Sequence, residues 1–134
     1  MGRYYSGDIE GKFWFAVQSS MAAERFGAKV EECEEDENYM VFSFKKEDLP
    51  KVQKELKTIK TNLGILYVYF KEFFAKNNGY NEKMLKDFFD SKDDVELSEE
   101  DIANHLEEYA DIGLGEKIEK CIIDGGECVF TGEL

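Results

Sequence analysis

Hydrophobic positions change period along this chain, and the change separates a strand-forming part from a helix-forming part. Up to about residue 46, apolar and polar side chains mostly alternate, which is typical of β-strands. From Leu49 onward, apolar residues recur every three or four positions, which is the period of an α-helix. Alternation returns in residues 127 to 131. The pattern therefore predicts an α+β fold.

The N-terminal third is predicted to form strands joined by turns and one short helix. The aromatic segment 12 to 18 is typical of a central strand, and residues 3 to 5 could form a short strand before it. Ser19 and Ser20 could cap a helix over residues 21 to 26, which Gly27 would end. Residues 28 to 34 and 39 to 44 predict an antiparallel hairpin, because Asp36 and its two successors favour a turn.

The helical part begins with one apolar stripe near Asp48, and Pro50 stands in its first turn. Gly64 predicts a break before a second helix that ends at Asn77. Residues 65 to 70 could instead form a strand by propensity. The first stripe consists of Leu49, Val52, Leu56, Ile59 and Leu63.

Capping residues predict where the later helices begin. Asn81 and Ser98 each precede an amphipathic segment, so a helix is expected after each of them. Gly113 and Gly115 predict a break before a last short helix around residues 118 to 122. Gly125 and its successor then turn the chain into the final strand.

Strands at both ends that enclose a run of helices predict a single α+β domain over residues 1–134. We expect a four- or five-stranded sheet, mixed or antiparallel, in which the C-terminal strand joins the strands of the N-terminal third. Four or five helices would cover it. The pattern leaves the strand order open, and a separate helical lobe over residues 62–124 is the alternative.

Charge narrows the classes of partner. The chain has 30 acidic residues against 17 lysines and arginines, a net charge of −13. Residues 31 to 48 hold eight acids and two lysines, and residues 81 to 134 hold 17 acids and five lysines. Such a negative field repels nucleic acid phosphates and anionic lipid and attracts basic proteins. We therefore expect a basic protein partner, no direct nucleic acid binding and no membrane binding.

Two acidic clusters are the candidate partner-binding residues. A sharper form of this hypothesis is nucleic acid mimicry, in which carboxylates take the place of phosphates on a basic groove. The simpler explanation of the first cluster is a solvated sheet edge that resists aggregation. The clusters are Glu31, Glu32, Glu34, Glu35, Asp36 and Glu37, and then Asp93 and Asp94.

The inventory of metal-binding side chains is small. Cys33, Cys121 and Cys128 have neither disulfide-framework nor zinc spacing. The single histidine, His105, follows Asp101 by one helical turn, so a surface ion pair is its ordinary explanation, and no partner for a role as general base is visible. We expect no metal and no cofactor.

Few cysteines and the lack of a recognisable signal peptide favour a cytoplasmic protein. Gly2 fits the loose myristoylation pattern, but no polybasic run follows it.

A small enzyme or small-molecule binder is the alternative hypothesis. Asp8 and Glu10 lie in a glycine-flanked loop beside the aromatic segment, and a pair of carboxyl groups in different environments could act as acid and base. Tyr5 and Trp14 could line a ligand cleft there. Turn formation and core packing explain the same residues without any chemistry. Self-association through a sheet edge or a helix face is also left open.

Overall fold

The predicted α+β fold is confirmed. The computed structural model describes residues 3–14 and 17–134, and within them five antiparallel strands form one sheet beside four α-helices. The strands are β1 (Tyr4–Gly7), β2 (Gly11–Lys12), β3 (Lys29–Glu32), β4 (Tyr39–Lys45) and β5 (Glu127–Glu133). The α-helices are α1 (Leu49–Leu63), α2 (Ile65–Lys76), α3 (Glu82–Asp90) and α4 (Glu99–Gly125).

The C-terminal strand occupies the middle of the sheet, whose order is β2-β1-β5-β4-β3. β5 pairs with β1 on one side and with β4 on the other, for example Phe130 opposite Gly7 and Phe42. The predicted return of the last strand to the N-terminal sheet is therefore confirmed. β2 and β3 are left as the two edges.

The predicted central strand over residues 12 to 18 is wrong for the residues that the structure describes. Only Gly11 and Lys12 pair with β1, and they form an edge strand. Gln18 donates its backbone N–H to the carbonyl of Trp14 at 2.9 Å, a contact that an extended strand does not allow. Phe13 is 1% exposed. The aromatic content of this segment thus reflects core packing, while Phe15 and Ala16 lie outside the described residues.

The predicted hairpin of β3 and β4 is confirmed. Val30 pairs with Phe42 in an antiparallel register, and the Asp36 carboxylate accepts the backbone N–H of Asn38 at 2.9 Å to form the turn. The short helix before β3 forms as a 3-10 helix, Ala22–Phe26, rather than an α-helix. Gly27 ends it with a φ of 95°, as its position predicts.

The first three helices follow their apolar stripes. α1 buries Val52, Leu56 and the later members of the predicted stripe, and α2 is a helix rather than the alternative strand. The capping residues also act as predicted: Asn81 accepts the Met84 N–H at 2.8 Å, and Ser98 accepts the Asp101 N–H at 3.1 Å. No described helix is both long enough and apolar enough to cross a bilayer.

The predicted break at Gly113 and Gly115 is wrong, because α4 continues without interruption for 27 residues. Gly115 serves close packing instead of a turn. A Cβ at this position would lie 2.5 Å from the ring of Phe26 and 2.7 Å from a methyl group of Leu56. The helix can therefore approach the 3-10 helix and α1 only with glycine here.

Buried side chains from the sheet and from all four helices form one continuous cluster. Phe42, Phe44 and Phe130 project into it from the sheet, and α4 contributes Ile118 and Ile122. α4 packs against α1 and against β5. The other face of the sheet carries more exposed side chains, as expected for an antiparallel sheet covered on one side.

Candidate functional site

The first acidic cluster lies at an open edge of the sheet. β3 pairs with β4 on one side only, so its other side presents a free backbone edge among the residues the structure describes. Glu31 and Glu32 belong to this edge strand, and the remaining carboxylates follow in the turn toward β4. We call Glu31, Glu32, Glu34, Glu35, Asp36 and Glu37 the acidic edge; all six are exposed.

Most carboxylates of the acidic edge have no cationic partner among the described residues. The ion pair found there joins Lys29 and Glu31 at 3.0 Å, and both side chains are more than half exposed. The Asp36 carboxylate accepts a backbone hydrogen bond within the turn. The acidic edge therefore combines exposed negative charge with backbone groups that lack a neighbouring strand.

The second acidic cluster is divided by its contacts. Tyr69, on α2, donates its hydroxyl to the Asp94 carboxylate at 2.7 Å, and this hydrogen bond raises the pKa of the tyrosine. Lys92 and Glu72 form an ion pair at 3.3 Å beside it. Asp93 is exposed and has no ion pair among the described residues. Asp94 thus helps to attach the connection between α3 and α4 to α2.

The hydrogen bonds at the two candidate catalytic residues, Asp8 and Glu10, involve backbone groups. Asp8 accepts the N–H of Val129 at 2.9 Å, and its own N–H donates to the Val129 carbonyl at 2.9 Å. The Glu10 carbonyl accepts a hydrogen bond from Lys117 at 3.2 Å. Both acidic side chains are exposed. Asp8 therefore extends the pairing of β1 with β5.

The two candidate ligand-binding aromatics lie in different environments. Tyr5 is 5% exposed, and its hydroxyl accepts a hydrogen bond from Lys117 at 2.9 Å. Trp14 is half-buried beside Phe74 and Tyr109, with ring centroids 5.2 and 6.2 Å away. It lines a cavity of about 530 Å³ together with Phe74. Trp14 is thus close to accessible space, whereas Tyr5 is part of the core.

A charge network around the buried carboxylate of Asp111 was not predicted from the sequence. Arg25 donates to Asp111 at 2.7 Å and to Glu108 at 2.9 Å, and Gln18 donates to the other oxygen of Asp111 at 3.0 Å. Glu55, on α1, completes the network at 3.4 Å. The network connects the 3-10 helix to α1 and to the middle of α4.

Burial and hydrogen bonding act against each other in this network. Burial raises the pKa of Asp111, although the hydrogen bonds from Arg25 and Gln18 act in the opposite direction. For Arg25, burial disfavours the charge, but the hydrogen bonds from its guanidinium to Glu108 and Asp111 and the negative charges of these two carboxylates together outweigh burial and raise its pKa. The sequence signal that could have indicated this network is an aspartate between the apolar residues Ala110 and Ile112, both of which are buried in the structure.

A second cavity, of about 340 Å³, lies between the first turns of α3 and α4. We call it the acidic-rimmed cavity, because Glu82, Glu99 and Glu100 line it together with apolar side chains. The sequence predicts first-turn acids in both helices, because the acids follow the capping residues directly. It does not predict that the two helices approach each other, because that is a long-range contact. The remaining lining residues are Val17, Tyr80, Leu85, Ile102, Ala103 and Leu106.

Metal-ligand geometry is not present in the described part of the chain, residues 3–14 and 17–134: no three histidine, cysteine or acidic side chains there converge on a point. Burial raises the pKa of the Cys128 thiol, with a further contribution from the neighbouring Cys121. The candidate myristoylation site at Gly2 lies outside the described residues.

Comparison with protein-family models, with curated proteins and with solved structures gives no match.

Proposed function

We propose that this protein is a non-enzymatic interaction module that binds a basic protein partner through the acidic edge. The observation that carries the proposal is the combination found at β3: an edge strand with no neighbour on one side among the described residues, surrounded by exposed carboxylates. A free strand edge can accept an extended segment from another protein through backbone hydrogen bonds. Arginine or lysine side chains on that segment would meet the carboxylates.

Charge supports this choice of partner. The net charge of −13 attracts a cationic segment over distances of about a Debye length, roughly 8–10 Å at physiological salt. Six carboxylates in seven consecutive positions make the acidic edge the densest acidic stretch of the sequence. The same field opposes nucleic acid phosphates and anionic membranes. Mimicry of nucleic acid is a narrower form of the proposal, in which the basic partner is itself a nucleic-acid-binding protein.

The charges of the acidic edge also have a role in the free protein. Acidic side chains on an edge strand oppose edge-to-edge pairing of two copies. This effect and partner binding are compatible, because the carboxylates that repel a second acidic edge attract a cationic segment. The proposal therefore includes selectivity: a basic strand is accepted, and a second copy of this chain is rejected.

The small-molecule alternative has weaker support at the residues that the sequence suggested for it. Asp8 hydrogen-bonds to the backbone of β5, and Tyr5 is buried. Trp14 borders a cavity. A cavity beside one half-buried tryptophan agrees with ligand binding but does not specify a reaction, so we favour the interaction module.

Neutralising the acidic edge should weaken binding of a basic strand. The test uses a fluorescent peptide that alternates arginine with valine, and its affinity is measured by anisotropy. Glu32→Gln, Glu34→Gln and Glu35→Gln together should lower the affinity by at least roughly threefold and at most roughly 150-fold, because each of the three exposed ion pairs contributes about 0.2–1 kcal/mol. The fold of the variant is checked by circular dichroism.

The matched control removes the same amount of charge elsewhere. Glu24, Glu96 and Glu107 are exposed and have no ion pairs among the described residues, so their replacement by glutamine gives an equal net charge. This control variant should retain nearly all of the affinity. Equal losses in the two variants would show that only the overall charge matters and would reject the acidic edge as the site. A peptide N-methylated on one edge should also bind more weakly if it adds to β3.

A further inference from the structure

We propose that the acidic-rimmed cavity binds a small organic cation with an apolar body, such as an arylalkylamine. The proposal is independent of the acidic edge. The cavity volume of about 340 Å³ falls at the lower end of the range of small-molecule sites, roughly 300–1,000 Å³. Its lining contains both parts that such a ligand requires: an apolar surface and a rim of carboxylates.

The apolar part of the lining would hold the body of the ligand. Leu85, Ile102 and Leu106 are buried side chains that also belong to the core, and they form the floor of the cavity. Tyr80 is half-buried at its side. Burial and the neighbouring charge of Glu82 raise the pKa of the Tyr80 phenol. An aromatic or alkyl group bound here would be transferred from water to a largely apolar surface, which is favourable.

The charged part of the lining has one sign. Glu82, Glu99 and Glu100 are exposed, they make no ion pair with described residues, and no lysine or arginine of the described chain lines the cavity. The lysines of α3 have other partners. Lys83 pairs with Asp87 at 3.5 Å, and Lys86 pairs with Asp90 at 2.6 Å. A bound ammonium group would therefore not compete with a described lysine or arginine for these three carboxylates.

An anionic ligand fits this cavity less well, although helix N-termini can attract anions. The first-turn N–H groups are already partly satisfied by caps, since Asn81 accepts the Met84 N–H and Ser98 accepts the Asp101 N–H. Three carboxylates on the rim would also repel a negative ligand. The negative charge of the rim therefore has a larger effect than the helix N-termini and favours a cationic ligand.

The test compares three ligands of nearly one shape by NMR titration of the labelled protein. Phenethylamine is a cation, phenethyl alcohol is neutral and phenylacetate is an anion. We expect the amine to bind most tightly and phenylacetate most weakly, with shifts at Leu106 and neighbouring cavity residues. Glu99→Gln with Glu100→Gln should lower the affinity for the amine roughly threefold to tenfold, and should leave the affinity for the alcohol nearly unchanged.

Two further variants make the result specific to the cavity. Ala103 is exposed and lines the cavity, so Ala103→Trp should fill it and abolish the shifts without altering a buried position. Glu107→Gln removes a charge from the same helix outside the lining and should bind the amine like the unaltered protein. The proposal is overturned if phenylacetate binds as tightly as the amine, if no ligand shifts the cavity residues, or if binding survives Ala103→Trp in a folded variant.

Discussion

Replacing Arg25 by methionine should destabilise the fold by about 3 kcal/mol, because the substitution leaves a buried carboxylate without its cation. The Asp111 side chain is only 5% exposed, whereas the Arg25 side chain is 29% exposed and reaches it at 2.7 Å. Gln18 would remain as a neutral donor to Asp111. Urea unfolding at neutral pH measures the change, which should appear as a lower midpoint with a similar slope.

The pH dependence of this variant identifies the cause. Burial already raises the pKa of Asp111, and loss of Arg25 should raise it further. A carboxyl group whose pKa is higher in the folded state than in the unfolded state favours folding at low pH, and this contribution is lost as pH rises through the folded-state pKa. The destabilisation relative to the unaltered protein should therefore shrink on acidification. Asp111→Asn in the same background should recover stability at neutral pH. A difference that is constant with pH would contradict the assignment.

Gly115→Ala should be the second strongly destabilising substitution, by about 1–3 kcal/mol, which is the usual cost of overpacking. Its Cβ would lie 2.5 Å from the ring of Phe26, a side chain with no exposed surface. Leu56 crowds the same point from α1, so neither neighbour can move freely. Thermal unfolding of the variant, followed by circular dichroism, gives the measurement.

Gly113→Ala is the matched control for this substitution. Gly113 lies two residues earlier in the same helix and is exposed, and a Cβ added there would meet no neighbouring side chain within 4 Å. Alanine at this position should stabilise the protein by roughly 0.5–1 kcal/mol, since glycine is costly inside a helix. If both substitutions shift the unfolding temperature in the same direction, close packing at Gly115 is not the reason for glycine.

These two glycines also show where sequence reasoning reached its limit. Local spacing was enough for α1, because an apolar stripe determines which face of a helix is buried. Glycine inside a helical pattern suggests a break when only neighbouring residues are considered. The reason for Gly115 is contact with Phe26 and Leu56, which are distant in sequence. A pattern of neighbouring residues carries no information about that contact.

The candidate sites also differ in how far local sequence predicts them. The acidic edge was predicted from residues 31 to 37, and its exposure follows from a hairpin that local turn chemistry specifies. The position of β3 at the edge of the sheet depends on β5, which enters from the other end of the chain. The acidic-rimmed cavity depends on the approach of α3 and α4, and the Arg25 network on α1, α4 and the 3-10 helix. Such arrangements arise from tertiary packing.

The most direct test of the central claim is the salt dependence of basic-strand binding at the acidic edge. Affinity for the alternating arginine and valine peptide is measured from low to physiological ionic strength, for the unaltered protein and for the variant that lacks Glu32, Glu34 and Glu35. We expect affinity to fall steeply with salt for the unaltered protein and less steeply for the variant, because screening acts on the charges that were removed. Identical salt dependence in both proteins, or binding that ignores salt, would contradict a site at the acidic edge.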